Sequence, residues 1–349
     1  MTAYTVIPAP ELNRQLDHAL VAIAQDITAW SLPGLAGVVL GGGYGRGEGG
    51  VRHTPQGDKL YNDLDFFVFG DHASRSQIQD IQAALHVISR TWHERLGVDV
   101  DFGPVKNLPD LRRVSSTLMY QELLRGWRPV WGDFNLANWL PALEPQEIPF
   151  TEAVRLLLNR GMGLVFAGEK LLGDASDEDF IVRNMNKAVL GSGDALLLAA
   201  GQYRWSGQER VRAFADYANA NGLAEEFSAA YSAAFQYKLE PDPVLPPAPL
   251  ERWKFCRRFY LEAVRLVAGA DQHGQPDAVG RRLSARASSE RSIRHLLRWL
   301  LGARSLRPLS CLFDEPVVTA LARLFALLSA NEGPQPCPPA LLRLWRRFN

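Results

Sequence analysis

The chain has 349 residues, 38 Lys and Arg against 38 Asp and Glu, and an apolar content near half. This is the profile of a globular protein of two or three domains with a substantial core, and it excludes a disordered or collagen-like chain. No apolar run approaches the roughly 20 residues needed to cross a bilayer, and the first thirty residues lack a leader pattern, so the cytoplasm is the expected compartment. Cys256, Cys311 and Cys337 are widely spaced, with no Cys-x-x-Cys pair, which argues against zinc and a disulfide framework.

In chain order, Leu12, Leu16, Leu20, Ile23, Ile27 and Trp30 recur three or four apart and predict an amphipathic helix over 11–30. Pro33-Gly34 ends it. Ala36 to Leu40 predicts a buried strand running into Gly41-Gly-Gly-Tyr-Gly-Arg-Gly-Glu-Gly-Gly50. Residues 51–61 read as polar loop, and Leu64 to Phe69 as a second strand. A helix is expected over 74–96, a third strand over Val98-Asp-Val-Asp-Phe102, a helix around 109–125 and a short strand over 128–132. From about 150 helices dominate: 151–167, 181–200, 208–219 and 223–237. The proline-rich segment 241–249 reads as a stiff linker, and helices are expected again over 251–268, 279–302 and 316–330.

The expected fold class is therefore α+β, with a small mixed sheet and flanking helices followed by an all-α half. The expected domains are 1–145, 146–240, and a region 251–349 after the linker. That last region carries 17 Arg or Lys against 8 Asp or Glu, a net charge of +9 balanced by −9 elsewhere. It is either a solvated set of helix faces attracted to the acidic remainder or a surface for an anionic partner.

Two motifs carry chemistry. Alternate residues of a strand share a face, so Asp63 and Asp65 are expected to project side by side. Adjacent carboxylates repel unless a cation lies between them. The glycine run does not open a helix in the manner of a dinucleotide fingerprint, since Val51 to Asp58 follows it as a loop. Nor does it carry the Gly-Lys-Ser/Thr of a phosphate-binding Walker loop, because Glu48 follows Gly47. Asp101-Phe-Gly103 mimics a kinase metal motif without a preceding His-Arg-Asp loop.

Gly42-Gly-Tyr-Gly-Arg-Gly-Glu48, Asn62-Asp-Leu-Asp65, Val100-Asp-Phe-Gly103 and the segment Leu124 to Asp133 together resemble the nucleotidyltransferase superfamily. Within it they are most similar to the catalytic domains of PII-protein uridylyltransferases. The loop between Glu48 and Asp63 is several residues longer than in those enzymes, and no regulatory repeats follow, so only the catalytic module is implied.

The resemblance implies transfer of a nucleoside monophosphate from a nucleoside triphosphate to a hydroxyl acceptor, with Mg²⁺ or Mn²⁺ held by Asp63, Asp65 and Asp101. Asp99 shares a strand face with Asp101 and competes for the third position. Gly42 and Gly43 would let backbone N–H groups approach the β- and γ-phosphates, with Arg46 neutralising them. Lys187, with Tyr203 as a companion, is the candidate triphosphate contact from the helical half; Asn184, Gly191 and Asp194 share its face unless Gly191-Ser-Gly193 breaks the helix. No membrane partner is expected, and neutral overall charge argues against a long nucleic-acid template. The rivals are a nucleotide-binding module without turnover and an RNA-modifying enzyme gripping its substrate with the C-terminal arginines.

Overall fold

The computed structural model describes residues 3–114, 116–173, 177–270, 275–289 and 316–347. The chain is mixed α/β, with one small mixed sheet and a majority of helix, and divides into two compact units. Unit 1 comprises residues 1–144 together with Gln236–Asp242; unit 2 comprises Pro145–Phe235 and 243–349. Residues 236–240, expected in the helical domain, and 241–242, expected in the linker, fall with the sheet-bearing unit.

In unit 1, helix α1 (Pro10–Ala29) buries Leu12, Leu16, Ala19, Leu20, Ile23 and Ile27, the stripe expected of a 3.6-residue period. Strand β1 (Leu35–Leu40) leads into a single helical turn, α2 (Gly42–Arg46), and then a hairpin of β2 (Val51–Thr54) and β3 (Gly57–Leu60). The polar loop expected over 51–61 is therefore mostly a two-stranded ribbon. Strand β4 (Leu64–Gly70) and helix α3 (Arg75–Leu96) follow. A capping box starts α3, with Ser74 accepting from the Gln77 N–H, and Gly97 ends it in the left-handed region at φ 69°.

The sheet is completed by β5 (Val100–Phe102), β6 (Lys106–Asn107) and β7 (Arg128–Trp131). Its order is β5-β4-β1-β7, with β6 also pairing with β4; β1 runs antiparallel to β4 and β7, whereas β5 and β6 run parallel to β4. The helix expected over 109–125 is split into a 3-10 stretch from Leu108 to Arg113 and helix α4 (Leu118–Arg125).

Both sheet faces are apolar, as strand residues alternate. Val38, Leu64, Phe66, Val68 and Val100 pack with α1 and α3, while Val39 and Phe69 on the other face pack with Leu108, Leu111, Tyr120 and Leu123. This double covering explains why β4 reads as an almost continuous hydrophobic run.

Unit 2 is helical: α5 (Phe150–Leu172), α6 (Glu178–Ala199), α7 (Gly207–Ala220), α8 (Glu225–Leu239, whose last turn lies in unit 1), α9 (Pro249–Ala268), α10 (Pro276–Ser289), α11 (Pro316–Ala330) and α12 (Pro339–Trp345). Helix α6 runs unbroken through Gly191-Ser-Gly193 because these glycines are packing sites. A Cβ on Gly191 would stand 2.2 Å from the Arg160 side chain, and one on Gly193 would stand 2.4 Å from the Tyr231 ring. Residues 290–302 of the helix expected over 279–302, and Cys311, lie outside the described residues. No helix among those described is long and apolar enough to cross a membrane.

Candidate functional site

The glycine run and the acidic strands meet at the start of β4. The Gly41 N–H donates to the Asp65 carbonyl at 2.8 Å, and the chain then turns into α2 through Gly42 at φ 60°. At Gly42 a Cβ would stand 2.1 Å from Oδ2 of Asp65, so only glycine lets the carboxylate lie against the turn. The N–H groups that open a helical turn have no partner within it; here those are contributed by Gly42 and Gly43. Gly47 closes the turn in the left-handed region at φ 77°.

The turn is held from behind. Tyr44 is buried, its hydroxyl donates to the Gly50 carbonyl at 2.7 Å and accepts from the Tyr61 N–H at 3.0 Å, and burial pushes its pKa up to about 12. The Gly50 N–H donates to the side-chain carbonyl of Asn62 at 2.7 Å, which ties the end of the glycine run to the residue before Asp63. Glu48 is also buried; Lys238 reaches it at 2.8 Å, and Arg46 lies 3.9 Å from it.

The acidic groups follow strand register. Asp65 is paired with Asp101 across parallel strands β4 and β5, with Leu64 opposite Val100 and Phe66 opposite Phe102. The rings of Phe66 and Phe102 stack at 4.7 Å and set that register from the buried face. Asp65 and Asp101 therefore project from the same face, and Asp63 lies two residues before Asp65. Burial first, then the negative charges of Asp63 and Asp99, hold the Asp101 carboxyl above the usual carboxylate range, while His93 opposes the shift. Asp99 takes a different part: its carboxylate pairs with Nδ1 of His93 at 3.1 Å, and its carbonyl accepts from the Leu64 N–H.

Chemically this donor set fits a hard divalent cation, being all oxygen and locally over-supplied with negative charge. Like charges without a counter-ion repel, and among the described residues no group of three or more His, Cys, Asp or Glu side chains is gathered closely enough to hold a metal ion.

Arg46 ends the glycine turn itself. Arg46 is engaged by Glu122 at 3.3 Å as well as by Glu48, so its charge is already compensated within unit 1. Lys187 is carried by α6, in unit 2. Its proposed companion Tyr203 is buried, with the Arg210 guanidinium 4.9 Å over its ring, and Asp194 pairs with Arg210 at 3.2 Å. Both are thus occupied in the packing of unit 2.

Sequence reasoning missed Tyr44, Asn62, Glu48 and Lys238, which hold the turn. The pairing of a glycine run with a following Glu was visible, but the Lys partner 190 residues away was not. Comparison with protein-family models, curated proteins and solved structures finds no match for this chain.

Proposed function

We propose that unit 1 is a nucleotidyltransferase module, moving a nucleoside monophosphate from a nucleoside triphosphate to a hydroxyl acceptor. The observation that carries the reading is the parallel register of Asp65 with Asp101, with Gly42 seated directly against Asp65. Asp63, Asp65 and Asp101 would hold divalent ions, which when bound neutralise the charge that builds on the transferred phosphoryl group and its leaving pyrophosphate. The chain's own part is to position and to exchange protons. Gly42 and Gly43 would offer backbone N–H groups to a polyphosphate, and Asn62 and Tyr44 keep the turn in register with the acidic strand. The elevated Asp101 carboxyl is suited to accept the acceptor hydroxyl's proton.

A second reading is a module that binds nucleotide without turnover; the compensated state of Arg46 favours it. Incubation with each labelled nucleoside triphosphate, Mg²⁺ and a metabolite extract tests both. Label transfer that disappears in Asp63→Asn and Asp65→Asn supports the transferase. Transfer retained by both variants rejects the site, and Mg²⁺-dependent thermal stabilisation by nucleotide without transfer to any acceptor selects the binding module.

A further inference from the structure

Unit 2 contains a polar recess of about 460 Å³ between α9 and the end of α11. Lys254, the adjacent pair Arg257 and Arg258, Leu261 and Arg265 recur at three- or four-residue intervals along α9 and line one wall; Ser329 and Glu332 come from the other side. The Arg257 Nε–H donates to the Leu328 carbonyl at 2.6 Å, an arginine satisfying the last turn of a helix, and so fixes its guanidinium beside the recess.

Two polar atoms in this lining are buried without a hydrogen-bond partner: Nε of Arg265 and Oγ of Ser329. A buried polar atom left unsatisfied is destabilising, and here both belong to residues that line the same recess. Burial works against the charge of the Arg257 guanidinium; Glu332 opposes that effect and the positive charge of Arg265 adds a smaller one in the same direction. The other cations have carboxylate neighbours, Glu251 for Lys254 at 2.8 Å, Glu262 for Arg265 at 3.5 Å and Glu226 for Arg258 at 2.6 Å. The pairs of Lys254 and Arg258 are exposed and contribute little, and Arg265 meets Glu262 at a long 3.5 Å. Leu261 and Phe255 add an apolar wall, and the volume falls within the range of small-molecule sites, roughly 300–1,000 Å³.

We infer that this recess binds a phosphate-bearing small molecule, with Arg257 and Arg265 paired to the phosphate oxygens, the Ser329 hydroxyl donating to it, and the organic part lying on Phe255 and Leu261. A guanidinium fork matches phosphate geometry, and such charge-assisted bonds are about twice as strong as neutral ones. A recess interrupted by Glu251 and Glu332 suits a compact anion better than a continuous nucleic-acid backbone.

The site is independent of the glycine turn, so the test is made with divalent ions chelated. Calorimetric titration of the full chain in EDTA with pyrophosphate, and separately with inorganic phosphate, is expected to show saturable binding of one anion per chain. The affinity should fall about tenfold or more in Arg265→Gln and in Arg257→Gln, the loss of one charged hydrogen bond. Ser329→Ala should weaken binding while leaving the ligand-free melting temperature unchanged or raised, because it deletes an unsatisfied group; this variant guards against a folding defect in the arginine substitutions. The double variant Asp63→Asn/Asp65→Asn should bind like the wild type. Absence of saturable binding, equal binding by the arginine and serine variants, or binding of a short single-stranded RNA in preference to both phosphates would each overturn the inference.

Discussion

The Asp65 carboxylate rests on the α-carbon of Gly42: a methyl group there would stand 2.1 Å from Oδ2, and the backbone turns at φ 60°. Gly42→Ala therefore combines left-handed strain of about 1–2 kcal/mol with displacement of the carboxylate. Gly57 supplies the control, since it too has a positive φ, 109°, but nothing lies within 4 Å of its hypothetical Cβ. Urea denaturation should show both variants destabilised, Gly42→Ala the more. Only Gly42→Ala should lose Mg²⁺-dependent nucleotide binding; equal behaviour of the two would show that the contact with Asp65 does not matter.

Asp101 gives a pH-dependent outcome. Its folded-state pKa is raised, so the native chain holds more protons than the unfolded chain between the two values, and stability is lost as pH rises through that window. In EDTA, Asp101→Asn should be more stable than the wild type at neutral pH, and the difference should close in acid, where the carboxyl is protonated in both states. Mg²⁺ should then raise the wild-type melting temperature and leave that of Asp101→Asn unmoved. A wild type indifferent to Mg²⁺ would remove the support for a cation among these carboxylates.

The shared face of Asp65 and Asp101 was legible in the sequence because period-2 spacing leaves little choice of face within a strand, while Asp63 and Asp99 each lie just before their strand. Asp63-Leu-Asp65 and Asp99-Val-Asp101 alternate with buried residues, and the stacked Phe66 and Phe102 set the register between them. The helical turn at Gly42–Arg46 was not legible, because glycine is a poor helix former and the turn is imposed by burial of Tyr44 and by the close approach of Gly45 to the Leu40 and Gly126 carbonyls. The β2–β3 ribbon was hidden for a different reason. Arg52, His53, Asp58 and Lys59 make it polar, so no apolar alternation marks it. Discontinuity of unit 1 escaped because the last turn of α8 looks like any other helix end until its lysine finds Glu48.

That lysine is the next test. Glu48 is a buried carboxylate whose nearest cation is Lys238, and removing one partner of a buried pair costs about 3 kcal/mol, because the other charge remains desolvated. Lys238→Met should destabilise the chain by roughly that amount, and Glu48→Gln/Lys238→Met should recover part of it, a coupling read from a double-mutant cycle by urea denaturation. A fragment ending at residue 235 should fail to fold its sheet-bearing unit cooperatively, whereas additive, small effects at both positions would show the pair to be superficial.

Asp194, on the Lys187 face of α6, has a structural role of its own. Its carboxylate accepts from the Tyr231 hydroxyl at 2.5 Å and pairs with Arg210, which is itself buried and donates to the Arg204 and Trp205 carbonyls. Burial and the Asp194 charge hold the Tyr231 hydroxyl well above its ordinary range, so it stays a donor at all working pH values. Arg210→Met should therefore cost about 3 kcal/mol by stranding Asp194, and Tyr231→Phe about 1 kcal/mol by removing one hydrogen bond. Asp194→Asn should lower stability in thermal denaturation while leaving nucleotide affinity unchanged. A fall in nucleotide affinity with stability preserved would instead assign Asp194 to a binding surface.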